Sequence, residues 1–234
     1  MIVSQRVDKV LQLLPERLVK IIAQNILSRI LKKYSKMHIE GMENINGLEG
    51  PILFICNHLS NSDGLIFHKV LKEFDPTFVA GVKLNGNSVT NLGMIVVKTT
   101  TIVPNTPDKE GLAKIIKILK NGENLFLFPE GTRSRNGKMI QAKRGLYLIA
   151  KMSKAKIVPI GIYGSEKLLP ISLDGDMKSE TFHEADVYIN IGKPFQISEK
   201  LKDEDKRKYE DRVVDEAMRK IAQLIPEDYR GVYI

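Results

Sequence analysis

The chain is short of cysteine, with Cys56 alone among 234 residues. That excludes an intramolecular disulfide, suits a reducing compartment and predicts an intracellular protein. A long apolar run is also missing. Within residues 1–36 the longest uncharged stretch, Ile21 to Ser28, falls far below the roughly 20 residues of a spanning helix, so neither a transmembrane span nor a signal peptide is expected there. No zinc-ligand spacing, aromatic ribonucleoprotein signature or helix-turn-helix pattern appears, which counts against nucleic acid as a partner. Nor is there a G-x-S-x-G elbow to supply a hydrolase nucleophile. Repeats and low-complexity segments are missing too, and the length allows one sizeable core, or at most two small ones.

What the chain does carry is positive charge, a formal net of +8. Its partners are therefore expected to be anionic: a membrane surface, a substrate, or both. Residues 1–36 read as two amphipathic helices, one ending near Leu14 and the second opening at Pro15, a favoured first helical position. The second helix puts Leu18, Ile21, Ile22, Ile26, Ile30 and Leu31 on one side, edged by Arg17, Lys20, Arg29, Lys32, Lys33 and Lys36. Such a face suits an anionic leaflet, and it equally suits packing on a core.

The remainder, 37–234, alternates strand and helix. After a turn-rich connection from His38 to Gly50, the apolar run Ile52 to Cys56 reads as a buried strand, and a helix runs on to Phe74. Strands are predicted at Thr77 to Val82 and Met94 to Val97. A helix capped by Asp108 stops at Gly122, then come a strand at Asn124 to Phe128, a helix from about Ala142 to Ser153 and the strand IVPIGIYG. Residues 169–185 read as an irregular surface excursion without a role. A last strand, Asp186 to Ile191, precedes a charged helix from about Ser198 to Ile225. This pattern predicts an α/β layer structure, a central sheet flanked by helices, with sites at strand ends.

Two such ends carry chemistry. In PILFICNHLSNSD the strand delivers His58 to the sheet's end, and Asp63 falls at the start of the next helix. A turn between them lets Asp63 accept from one ring nitrogen of His58 and leave the other free as a general base. Cys56 shares the strand face of His58, but inside an apolar run it reads as a small buried hydrophobe rather than a nucleophile. In FPEGTRS, Phe128 to Ser134, a carboxylate, a flexible glycine and an arginine follow a buried strand directly. Gly131 permits a positive φ, Glu130 can hold the loop in shape, and Arg133 offers a fork of donors to a phosphate.

Taken together, NHLSNSD, FPEGTRS and VPIGIYG resemble the N-H-x4-D, F-P-E-G-T-R-S and V-P-I blocks of the lysophosphatidic acid acyltransferase family, in the same order, over roughly Gly50 to Gly164. The resemblance implies His58 as general base and Asp63 as its orienting carboxylate. It implies Arg133 as a ligand of the acceptor phosphate, with Glu130, Gly131 and Thr132 shaping the loop and offering oxyanion support. Pro159 matches the proline of the later block, whose neighbours line the apolar side of the family's site. The middle block is less faithful: where the family has a K-x-E-L-like pattern and a closing arginine, this chain offers Lys83 and Lys98, which can bind the acceptor phosphate as point charges but lack the arginine's fork.

The fold implied is the family's glycerolipid acyltransferase fold with an amino-terminal amphipathic membrane anchor, at the cytoplasmic face of the cell membrane. The reaction implied is acyl transfer from acyl-CoA or acyl carrier protein to lysophosphatidic acid, without metal or cofactor. Acyl transfer to glycerol-3-phosphate or another lysolipid would use the same motifs. A non-catalytic lipid-binding protein would share the basic helices but have no use for the dyad.

Overall fold

The structure, a computed structural model, describes residues 15–81, 93, 95–103, 106–172 and 179–234. The expected helix ending near Leu14, and Lys83, lie outside them. At the centre is a seven-stranded sheet in the order β1-β7-β6-β2-β5-β3-β4. Its strands are β1 (Ser35–Glu40), β2 (Ile52–Cys56), β3 (Thr77–Gly81), β4 (Thr99–Ile102), β5 (Leu125–Leu127), β6 (Lys156–Tyr163) and β7 (Ala185–Ile191). β6, β2, β5, β3 and β4 run parallel to one another, β7 runs antiparallel to β6, and β1 is parallel to β7. The carboxyl ends of β2, β3 and β5 therefore meet along one edge.

Every residue of β2 is buried because helices cover both faces, the usual condition for a parallel sheet. Ile52, Phe54 and Cys56 point into one apolar layer with α1 (Glu16–Tyr34) and α2 (Asp63–Val70). Leu53 and Ile55 point into the other, with α3 (Lys109–Lys120), α4 (Gly145–Ser153) and the long charged helix over Lys206–Ala222. A four-residue turn, α5 (Ser165–Leu168), precedes β7, so the long helix is α6. The caps at α3 and α6 are local: Asp108 accepts from Gly111 N at 2.8 Å and Asp205 from Arg207 N at 2.8 Å.

Three expectations are corrected. The connection from His38 begins inside β1, which pairs with β7 from Ser35↔Ala185 to Glu40↔Asn190; its exposed, mixed residues carry no buried-strand pattern. No strand forms at Ile95 to Val97: Ile95 and Val96 are helical, Val96 and Val97 fill the core, and the β-branched run Thr99–Ile102 takes the edge instead. Third, α1 turns Ala23, Leu27 and Leu31 into the core while Leu18, Ile21 and Ile22 stay exposed. Its apolar stripe is wider than its packing face. Among the described residues no helix is long and apolar enough to cross a membrane.

Candidate active site

β2 and β5 pair from Leu53↔Leu125 to Ile55↔Leu127, so the residues that follow each strand emerge side by side. Two backbone links then stitch the loops together. Ser134 N donates to His58 O at 2.8 Å, and Lys143 N donates to Pro129 O at 2.8 Å, holding the FPEGTRS loop from its other side. The Phe128 ring lies on the His58 imidazole, centroids 3.9 Å apart and planes 13° from parallel. That stack limits the freedom of the imidazole.

His58 Nδ1 lies 2.8 Å from Asp63 Oδ2. The same oxygen accepts from Leu59 N at 2.8 Å and Ser60 N at 2.9 Å, so three groups converge on one carboxylate oxygen. An oxygen already serving two amides acts as an acceptor, which makes Nδ1 the donor and, in the neutral ring, leaves the lone pair on Nε2. Asp63 is fully buried and His58 lines a cavity, so the pair is oriented from the protein side and open on the other. Cys56 is fully buried, and burial pushes its thiol well above the usual range. A thiol so placed is a packing group, not a nucleophile.

Beneath the FPEGTRS loop, Glu130 is also fully buried. Its Oε1 accepts from His58 N at 3.0 Å and its Oε2 from Ile140 N at 2.8 Å. Desolvation pushes its carboxyl up to about 7, with the two backbone bonds opposing and the Asp63 charge adding to the rise. Glu130 thus fastens the His58 backbone to the second motif. Gly131 has φ +70°, and its N–H donates to Phe128 O at 3.0 Å, closing a tight turn. That amide is occupied and does not serve as an oxyanion donor. Thr132 is exposed and lines the cavity with Gly131 and Arg133.

The cavity measures about 840 Å³. Its walls are mainly apolar, with Leu65, Phe78, Ile102, Leu112 and Leu146 among them, and its polar lining includes His58, Asn61, Arg133 and Glu180 as well as Thr106, Asp108 and Lys109. A mainly apolar cavity with polar groups on its wall suits an amphiphile. Arg133 Nη1 lies 3.1 Å from Glu180 Oε1, and Asn61 Nδ2 donates to Glu180 Oε2 at 2.6 Å. Glu180 comes from the segment expected to be a surface excursion, and nothing in its neighbourhood in sequence signals its place.

Not every expected site residue arrives here. Lys98 sits at the start of β4, paired with Glu123 at 2.9 Å and Asp75 at 3.7 Å, two residues that precede β5 and β3. Parallel strands put those amino-terminal ends opposite the edge that holds His58, so Lys98 does not join it. Pro159 is buried within β6 opposite Ile55, and its neighbours Val158 and Ile160, expected on the apolar side of the site, do not line the cavity. Asn57, a neighbour of His58 with no expected role, fills a structural one: it donates to Ile162 O at 2.8 Å and accepts from Ile162 N at 2.9 Å, extending the β2–β6 pairing by a side chain.

Among curated proteins, the chain is 28% identical over 145 residues to a chloroplastic 1-acyl-sn-glycerol-3-phosphate acyltransferase of Arabidopsis thaliana, covering 61% of this chain and 40% of that protein. It is 27% identical over 193 residues to a chloroplastic protein of the same description from Brassica napus, covering 81% of this chain and 51% of the relative. The chain thus spans about half the length of these relatives. The 1-acyl-sn-glycerophosphate acyltransferase PlsC of Thermotoga maritima aligns in structure with a TM-score of 0.61, over 89% of this chain and 79% of that one. At 22% identity, that likeness speaks to the fold alone. A family model described as Acyltransferase matches residues 36–163, more than half of the sequence, and the chain belongs to that family.

Proposed function

We propose that the protein transfers a fatty acyl group from an acyl thioester to the free hydroxyl of 1-acyl-sn-glycerol-3-phosphate, giving phosphatidic acid. The observation that carries this reading is the His58–Asp63 pair opening onto an apolar cavity beside Arg133. His58 Nε2 takes the hydroxyl proton as the oxygen attacks the thioester carbonyl. The tetrahedral intermediate collapses, the C–S bond breaks, and the departing thiolate receives a proton from the imidazolium. Asp63 stabilises that imidazolium and keeps the ring oriented. General base catalysis of this kind contributes about 10²–10⁴ in rate.

Arg133 holds the acceptor's phosphate, which turns the encounter of hydroxyl and base into a positioned one. The acceptor's acyl chain lies along the apolar walls. Acyl-CoA or acyl carrier protein supplies the thioester. Residues 1–36 supply the membrane-associating helices and 37–234 the acyltransferase domain, with the exposed Leu18, Ile21 and Ile22 of α1 entering the anionic cytoplasmic leaflet of the cell membrane.

The test is thioester consumption on anionic vesicles with acyl-CoA and lysophosphatidic acid, glycerol-3-phosphate or no acceptor, for wild type and His58→Ala. Turnover that requires lysophosphatidic acid, yields phosphatidic acid and falls by about 10²–10⁴ in His58→Ala supports the reading. Turnover retained in His58→Ala removes that residue as base. Turnover with glycerol-3-phosphate alone moves the activity to a different acceptor.

A further inference from the structure

The carboxylate of Glu180 has only 3% of its side-chain surface exposed, yet it borders the cavity. A buried carboxylate persists where its charge is paired and its oxygens are occupied. Here both oxygens are: one faces Arg133 Nη1 and the other receives Asn61 Nδ2. Asn61 belongs to the loop that carries His58, and Arg133 belongs to the FPEGTRS loop. One carboxylate, distant from both in sequence, therefore ties the base's loop to the cation's loop.

We propose that Glu180 is the positioning residue for the acceptor's phosphate, an inference that rests on the acyl-transfer reading above. A guanidinium carries five N–H donors in a rigid fork, and the Glu180 contact uses Nη1 alone. The phosphate can therefore bind the remaining donors while Glu180 stays in place. Expelling Glu180 instead would leave a buried carboxylate without its cation. Held this way, Arg133 points in one direction at a fixed offset from His58. That offset selects acceptors whose phosphate and free hydroxyl are separated to match.

The experiment compares wild type, Glu180→Ala and Glu180→Asp in steady-state kinetics, varying the acceptor 1-acyl-sn-glycerol-3-phosphate and the donor acyl-CoA separately. In Glu180→Ala the acceptor KM rises tenfold or more, while kcat stays within threefold and the donor KM within twofold. Glu180→Asp, which keeps the charge on a shorter stem, falls between. In an Arg133→Ala background, Glu180→Ala lowers kcat/KM no further, because the residue acts through Arg133. An unchanged or lowered acceptor KM, equal rises for both substrates, or an additive loss in the double variant overturns the proposal. Should Glu180→Ala lose cooperative unfolding, Glu180→Asp carries the same comparison, and an acceptor KM equal to wild type then overturns it. Wild type that shows no turnover with this acceptor is a different failure, that of the acyl-transfer reading itself.

Discussion

Three donors meeting on Asp63 Oδ2 make this side chain the hinge of the site's chemistry. In Asp63→Asn an amide oxygen still serves the loop amides, but a neutral group does not stabilise the imidazolium or hold the same tautomer. We expect kcat to fall by about 10²–10⁴ with the thermal unfolding still cooperative, read by steady-state kinetics beside circular dichroism. Glu130 makes a second prediction. Its folded pKa of about 7 stands above its ordinary 4.5, so the native state binds more protons between those values. The stability it contributes is therefore full below about pH 4.5, declines as pH rises through about 7 and is flat beyond. Measured as the difference in unfolding free energy between wild type and Glu130→Gln from pH 4 to 8, that decline appears as a slope confined to this window. A flat difference would mean the carboxyl is not held in a desolvated state. His58, Asp63, Glu130 and Arg133 were legible because each lies within a few residues of a strand end, where a short motif carries its own geometry. Glu180 was not legible, since its contacts to Arg133 and Asn61 span 47 and 119 residues.

Elements formed where local signals agreed with burial. α3 has its Asp108 cap and buries Ile115, Ile116 and Leu119 at helical spacing. Leu119 is wholly buried, so Leu119→Ala should cost about 2–5 kcal/mol in urea unfolding. At the far end of β6, a Cβ added to Gly161 would sit 2.6 Å from Ile225 Cγ2 and 2.8 Å from Leu224 Cβ. This glycine lets the chain leaving α6 approach the sheet. Gly161→Ala should destabilise by about 1–3 kcal/mol without altering the acceptor KM, checked by urea unfolding and kinetics together. Among the strands, those that escaped the sequence reading are the two at the edges. β1 and β4 have one neighbour each and partly exposed side chains, so neither shows the continuous apolar run that announced β2. Val96 and Val97 carried that signal instead and were drawn into the core outside any strand.

For the whole molecule, the proposed membrane association would rest on one helix face and the net charge of +8. Deleting residues 1–36 would be a poor test, because Ala23, Leu27 and Leu31 would leave the core with it. Replacing the exposed Leu18, Ile21 and Ile22 by serine spares the packing. Full insertion of each such side chain is worth roughly 1.5–3 kcal/mol, so the triple variant should lose most of its co-sedimentation with anionic vesicles. Added salt should weaken binding of the wild type, since each basic residue near the surface contributes about 1 kcal/mol that ions screen. Binding that neither change reduces would assign this face to packing or to another partner. What the sequence determined by itself was the alternation of strands and helices, the polar ends of β2 and β5, and the dyad between His58 and Asp63. All of these depend on neighbours a few residues apart. Only the tertiary structure decided that the two motif loops lie side by side, that Lys98 sits at the opposite end of the sheet, and that Glu180 bridges Asn61 and Arg133. Those follow from strand order and direction, which arise when distant segments bury their apolar faces together, and no local pattern encodes them.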